Sequence, residues 1–112
     1  MTDNASPDRG PIQSELLREN PTFADIVIPF VEGLSERLRV MEQSIRGTDF
    51  ETLKVAAHQL KGAGGGYGFP ILTERAAKLE QFARQGAVED CANLLAELKD
   101  LVARIELPPQ EG

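Results

Sequence analysis

From Phe23 to Ile45 the apolar residues Val27, Val31, Leu34, Leu38, Met41 and Ile45 return at alternating steps of four and three. That spacing puts them on one face of an α-helix, and Phe23, Ile26 and Phe30 widen the stripe. Pro29 falls inside the pattern. It lacks an N–H and crowds the preceding turn, so a kink or break is expected near Val27-Ile28. Gly47-Thr48-Asp49 closes this helix, and a second one starts near Asp49 with the apolar edge Phe50, Leu53, Ala57, Leu60, Gly64 and Tyr67. Gly68-Phe69-Pro70 interrupts the pattern, with Pro70 suited to a new first turn. Leu72, Ala76, Leu79 and Ala83, helped by Phe82, form a third stripe that Gly86 stops. Val88, Cys91, Leu95, Leu98, Val102 and Ile105 form a fourth, reinforced by Leu94 and Leu101.

Four amphipathic helices joined by very short turns predict an all-α fold, an antiparallel four-helix bundle with mostly up-down-up-down order. Ile12, Leu16 and Leu17 predict a short extra helical segment at the N-terminal side. Asn20-Pro21 then reads as a helix start, an N-cap residue followed by proline. No stretch alternates with the period of two that a strand needs. The expected organisation is a disordered segment over 1–11, the four-helix domain over 12–106 and a flexible tail over 107–112.

Composition narrows the partners. Aromatic residues make up 5% of the 112 and Trp is absent, so Leu, Ile, Val and Ala must build the core. Twelve basic against eighteen acidic side chains give a formal charge of −6, with no basic stripe. Nucleic acid and an anionic membrane are therefore disfavoured. Cys91 sits in an apolar stripe and reads as a small buried hydrophobe. Neither a signal peptide nor a membrane-length apolar run is evident, so a cytoplasmic protein is expected; the short, polar surface stripes favour a monomer.

The stretch HQLKGAGGGYG, His58 to Gly68, holds the only histidine and half of the ten glycines. It does not fit the dinucleotide fingerprint: counted from Gly62 the sixth position is Tyr67, and counted from Gly64 it is Phe69. It does not fit a phosphate-binding loop of the Gly-Lys-Ser/Thr type either, because Lys61 precedes the glycines. If the run is helical, Gly62, Gly64, Gly65 and Gly66 together cost on the order of 3–4 kcal/mol relative to alanine. Such a cost asks for a geometric reason. Gly64 lies on the core edge, where a second backbone can approach closely. His58, Lys61, Gly62 and Gly65 share the outer stripe at i, i+3, i+4 and i+7, with Lys54 one turn earlier.

That outer stripe holds a nucleophile, a cation and steric clearance. An imidazole near neutral pH can accept a phosphoryl group on a ring nitrogen without a separate base. Lys61 can offset the incoming charge, and Gly62 and Gly65 leave room for it. The stripe has no nucleotide loop and no carboxylate cluster for Mg²⁺, so a partner must bring the catalytic apparatus. A lone histidine on a helix is, however, most often an ordinary surface residue. His58 and Cys91, on different helices, make no recognisable metal-ligand set.

Ala57-His58-Gln59-Leu60-Lys61-Gly62, then Tyr67-Gly68, then Leu79-Glu80 resembles the signature of histidine-containing phosphotransfer (HPt) domains. The resemblance spans about residues 20–105. It implies a phosphorelay carrier without a nucleotide or metal site of its own. His58 would take a phosphoryl group from the aspartyl phosphate of a receiver domain and pass it to another receiver. Response-regulator receiver domains, and a hybrid histidine kinase, are the implied partners, and Mg²⁺ would come from the receiver. The resemblance makes Lys61 the phosphate-neutralising lysine and Gly62 the access glycine. It makes Glu80 a candidate for orienting the imidazole, and Arg84 an anchor for phosphate or partner. The alternative for Glu80 and Arg84 is a plain exposed i, i+4 ion pair. Phe23 and Val27, with Lys54, Gly65 and Arg84, are candidates for the docking surface. The alternative function is an adaptor that keeps the fold and binds a receiver or kinase unphosphorylated. Two departures from the family pattern are the extra glycines of Ala63-Gly64-Gly65-Gly66, which imply a looser helix end, and Pro29 within the first long helix.

Overall fold

The computed structural model describes residues 10–109. All of the expected disordered segment except Gly10 and Pro11, and the last three residues of the expected tail, lie outside the described residues. Six α-helices follow in order: α1 Glu15–Glu19, α2 Ala24–Glu32, α3 Leu34–Arg46, α4 Phe50–Gly66, α5 Pro70–Gln85 and α6 Val88–Ala103, with a 3-10 turn at Pro21–Phe23 between the first two. Helices α3 to α6 are the predicted bundle. Connections of two or three residues make sequential helices antiparallel neighbours, and α3 packs on α6 to close the ring.

The predicted punctuation is seen at most boundaries. The Asp49 carboxylate accepts from the Thr52 N–H and so caps α4. Pro70 is the first residue of α5, and Gly86, with φ +66°, ends that helix in the left-handed region. Asn20 caps the 3-10 turn through the Thr22 N–H, with Pro21 following. The core is mostly aliphatic, with Val27, Leu34, Met41, Leu53, Leu60, Leu72, Leu79 and Leu98 fully buried, but its largest fully buried side chain is Phe69. Cys91 is buried with them, and burial, aided by Asp90, pushes its thiol pKa up.

The first long stripe is interrupted, but not near Val27-Ile28. Helix α2 runs through Pro29 and stops at Glu32, and the interruption falls at Gly33. Pro29 and Asp25, whose carbonyl would have received the missing N–H, are both solvent-exposed, a position where the lost bond costs least. The Gly33 N–H reaches back to the carbonyls of Pro29 and Phe30 at 3.0 and 3.2 Å, which tightens the last turn.

The short N-terminal helix is held by more than apolar contact. Ile12 forms a parallel bridge with Ile105, through Ile12 N–H to Arg104 C=O (2.9 Å) and Glu106 N–H to Ile12 C=O (2.8 Å). Ser14, buried, accepts from the Leu17 N–H and donates to the Tyr67 C=O at 2.7 Å, while the Glu15 N–H donates to the Gly68 C=O. Gly68 has φ +92°, and a Cβ there would lie 2.3 Å from the Ser14 hydroxyl. Only glycine permits both this turn and the docked segment. Tyr67, in the same turn, stacks on Phe30 of α2 with ring centroids 4.3 Å apart.

Candidate functional site

Helix α4 stays helical through the whole glycine run and ends at Gly66, so the expected looser end is not seen in the backbone. One reason lies on its inner side. A Cβ at Gly64 would approach Leu72 Cβ and both the amide nitrogen and the hydroxyl of Thr73 to 3.0 Å. The missing side chain lets α5 lie directly against α4, and this helix pair has the most extensive contact in the bundle. On the outer side, a Cβ at Gly62 would meet nothing within 4 Å. The surface next to His58 is bare backbone.

Close packing of α5 brings Glu80 under the histidine. Glu80 Oε2 lies 3.2 Å from His58 Nδ1 and 2.9 Å from Arg84 Nη2, while Oε1 lies 2.9 Å from Lys61 Nζ. Glu80 is only 5% exposed. It is therefore not the plain exposed partner of Arg84 that spacing alone allows, although the i, i+4 pair exists. The Lys61 ammonium, helped by Arg84 and His58, outweighs the opposing effect of burial and holds the carboxyl at about 2. A carboxylate can only accept, so His58 Nδ1 is the N–H donor, and in the neutral tautomer Nε2 carries the lone pair. The His58 side chain is 66% exposed, with Glu80 on its inner edge. Two cations around one carboxylate leave a local excess of positive charge on a chain of formal charge −6.

The sequence matches the family model of the Hpt domain over residues 25–107. The chain belongs to the Hpt domain family. Comparison with curated proteins and with solved structures returned no match. Hpt domains are phosphotransfer carriers of two-component systems and interact with response-regulator receiver domains. The matched span begins at residue 25, after α1 and the 3-10 turn.

The other candidate residues are placed less uniformly. Gly65 shares the outer face and is exposed. Lys54 lies one turn before His58, but its ammonium is held 2.9 Å from Glu51 and does not join the Glu80 cluster. Phe23 and Ile26 are exposed large hydrophobics, as a docking patch requires. Val27 is a correction: it is fully buried and belongs to the core, so it cannot contact a partner. The apolar arc of α2 was too wide for periodicity to assign its faces. Val55, three residues before His58, is exposed and was missed; its i, i+3 spacing from the histidine was the available signal. Thr73 was also missed. Its signal was the step of seven to Glu80, two turns along one face of α5. Among the described residues, no three His, Cys, Asp or Glu side chains gather to hold a metal, and no helix is long and apolar enough to cross a membrane.

Proposed function

We propose that this Hpt domain is a phosphorelay carrier with His58 as its phosphoacceptor. The observation that carries the reading is the 3.2 Å contact of Glu80 with Nδ1 of the exposed His58, which in the neutral ring assigns the proton to Nδ1 and the lone pair to Nε2. Nε2 attacks the phosphorus of a receiver's aspartyl phosphate. The N–P bond forms as the acyl-phosphate P–O bond breaks, and the donor carboxylate departs. Nδ1 keeps its proton, and the positive charge left on the ring is offset by Glu80. Lys61 and Arg84 supply positive charge beside the phosphoryl oxygens, and Gly62 leaves room for the receiver's active-site wall. The reverse sequence hands the group to a second receiver. Mg²⁺ and the aspartate belong to the receivers; Val55, one turn before His58, offers an apolar contact beside the imidazole, and the exposed Phe23 and Ile26 offer further apolar surface. The carrier works as a cytoplasmic monomer.

The test is phosphotransfer from an aspartyl-phosphorylated receiver with Mg²⁺, comparing the wild type with His58→Gln. Acid-labile, base-stable label on the wild type alone is the expected result. Binding without label across a panel of receivers would favour an unphosphorylated adaptor. Equal label on both forms would place the chemistry on another residue.

A further inference from the structure

Thr73 stands outside the charged cluster, yet it touches the helix that carries the histidine at a particular point. Its hydroxyl accepts from the Gly65 N–H at 2.8 Å and donates to the Lys61 C=O at 2.7 Å. Those two groups are four residues apart in α4, the pair an α-helix ordinarily joins to each other. A side chain from α5 therefore sits at a rung of the α4 hydrogen-bond ladder. The glycines make the approach possible: the hydroxyl would lie 3.0 Å from a Cβ at Gly64 and 3.4 Å from one at Gly65.

Thr73 and Glu80 lie on the same face of α5, two turns apart. Helix α5 thus holds α4 in two places. Glu80 holds the side chains of His58 and Lys61, and Thr73 holds the backbone of Lys61 and Gly65. The turn between these holds contains Gly62, Gly64 and Gly65, the residues whose backbone is least constrained by its own side chains. The direction of Lys61 Nζ depends on the phase of this turn.

We propose that Thr73 is a positioning residue of the phosphotransfer site: its hydroxyl fixes the glycine-rich turn of α4 and thereby the aim of Lys61 and the clearance over Gly62. The proposal rests on the reading of His58 as phosphoacceptor. It accounts for a helix that keeps its geometry through four glycines: the hydroxyl supplies from outside the constraint that the missing side chains do not.

The experiment is single-turnover phosphotransfer from an excess of an aspartyl-phosphorylated receiver to wild type, T73V, T73S and H58Q, with circular dichroism as the check on folding. Partial unfolding lowers the labelled fraction, whereas misalignment lowers the saturated rate constant. T73V is expected to keep its fold and full amplitude and to transfer about ten-fold more slowly at saturation. T73S, which keeps the hydroxyl, is expected to restore the rate. A saturated rate for T73V equal to wild type, or a T73S as slow as T73V, overturns the proposal and leaves the His58 reading standing. If T73V loses its fold, T73A takes its place under the same criteria. Loss of fold in both assigns the hydroxyl to stability and overturns a positioning role. Absence of label on the wild type, or label on H58Q, removes the phosphoacceptor reading and this proposal with it.

Discussion

Adding one methyl group at Gly62 and at Gly64, two residues apart in the same helix, should have opposite effects. Each change from glycine to alanine in a helix interior gains about 1 kcal/mol from propensity. At Gly62 nothing lies within 4 Å of the new Cβ, so that gain is realised. At Gly64 the new Cβ meets three atoms of α5 at 3.0 Å, and two of them, Leu72 Cβ and the Thr73 amide nitrogen, cannot swing away as a side-chain tip can. The first turn of α5 must move off, at the roughly 1–3 kcal/mol typical of overpacking. Gly64→Ala is therefore expected to be destabilised by up to about 2 kcal/mol, and Gly62→Ala stabilised by up to about 1. For a domain of this size about 1 kcal/mol moves the thermal midpoint by roughly 4–8 °C, so the two variants should fall on opposite sides of the wild type in a melting experiment. Urea unfolding gives the same comparison at constant temperature. A Gly64→Ala midpoint at or above that of Gly62→Ala would refute the argument that α5 needs the bare backbone of α4.

Two further outcomes follow from the polar contacts. The Glu80 pKa is depressed from 4.5 to about 2, so its ion pairs contribute fully above pH 4.5 and are lost as the pH falls from there toward 2. Urea titrations across that window should show the wild type losing more stability than Glu80→Gln; parallel curves would mean that the carboxylate gains nothing on folding. At the other end of α4, Gly68→Ala puts a methyl group 2.3 Å from the Ser14 hydroxyl and 2.5 Å from the Leu16 amide nitrogen, at a positive φ. A penalty of about 2 kcal/mol is enough to release α1, which should be seen as faster amide exchange in α1, Glu15–Glu19, with His58 labelling retained. Unchanged exchange there would contradict the docking of that segment on the turn.

Much of the bundle was legible in the chain because single residues announce its boundaries. Asp49, Pro70 and Gly86 each act through local backbone chemistry, and local chemistry survives in a linear reading. The face of Val27 was not legible, because α2 carries apolar residues on both its core side and its exposed side, and only the packing of its neighbours separates Val27 from Ile26. Gly33 was overlooked beside the stronger signal of Pro29, although an exposed proline loses one hydrogen bond where the loss costs least while the glycine sits at the actual bend. In the site, His58, Lys61 and Gly62 were readable from their spacing on one helix. The burial of Glu80 was not, since it depends on how closely α5 approaches. Thr73 and Ser14 act on backbone groups of other elements; the step of seven from Thr73 to Glu80 marks their shared face, but no periodicity records the contacts themselves.

The parallel bridge between Ile12 and Ile105 has a consequence for the order in which the chain assembles. Helices α4 and α5 are consecutive and joined by three residues, so their contacts close only short loops. The bridge closes a loop of nearly the whole described chain, and closure entropy rises with the logarithm of loop length. The bridge is therefore expected to form late, after the α4–α5 pair, and to be among the first contacts to open. His58, Lys61, Glu80 and Thr73 all belong to the early pair, so the geometry around the imidazole can persist through openings that free the chain's two ends.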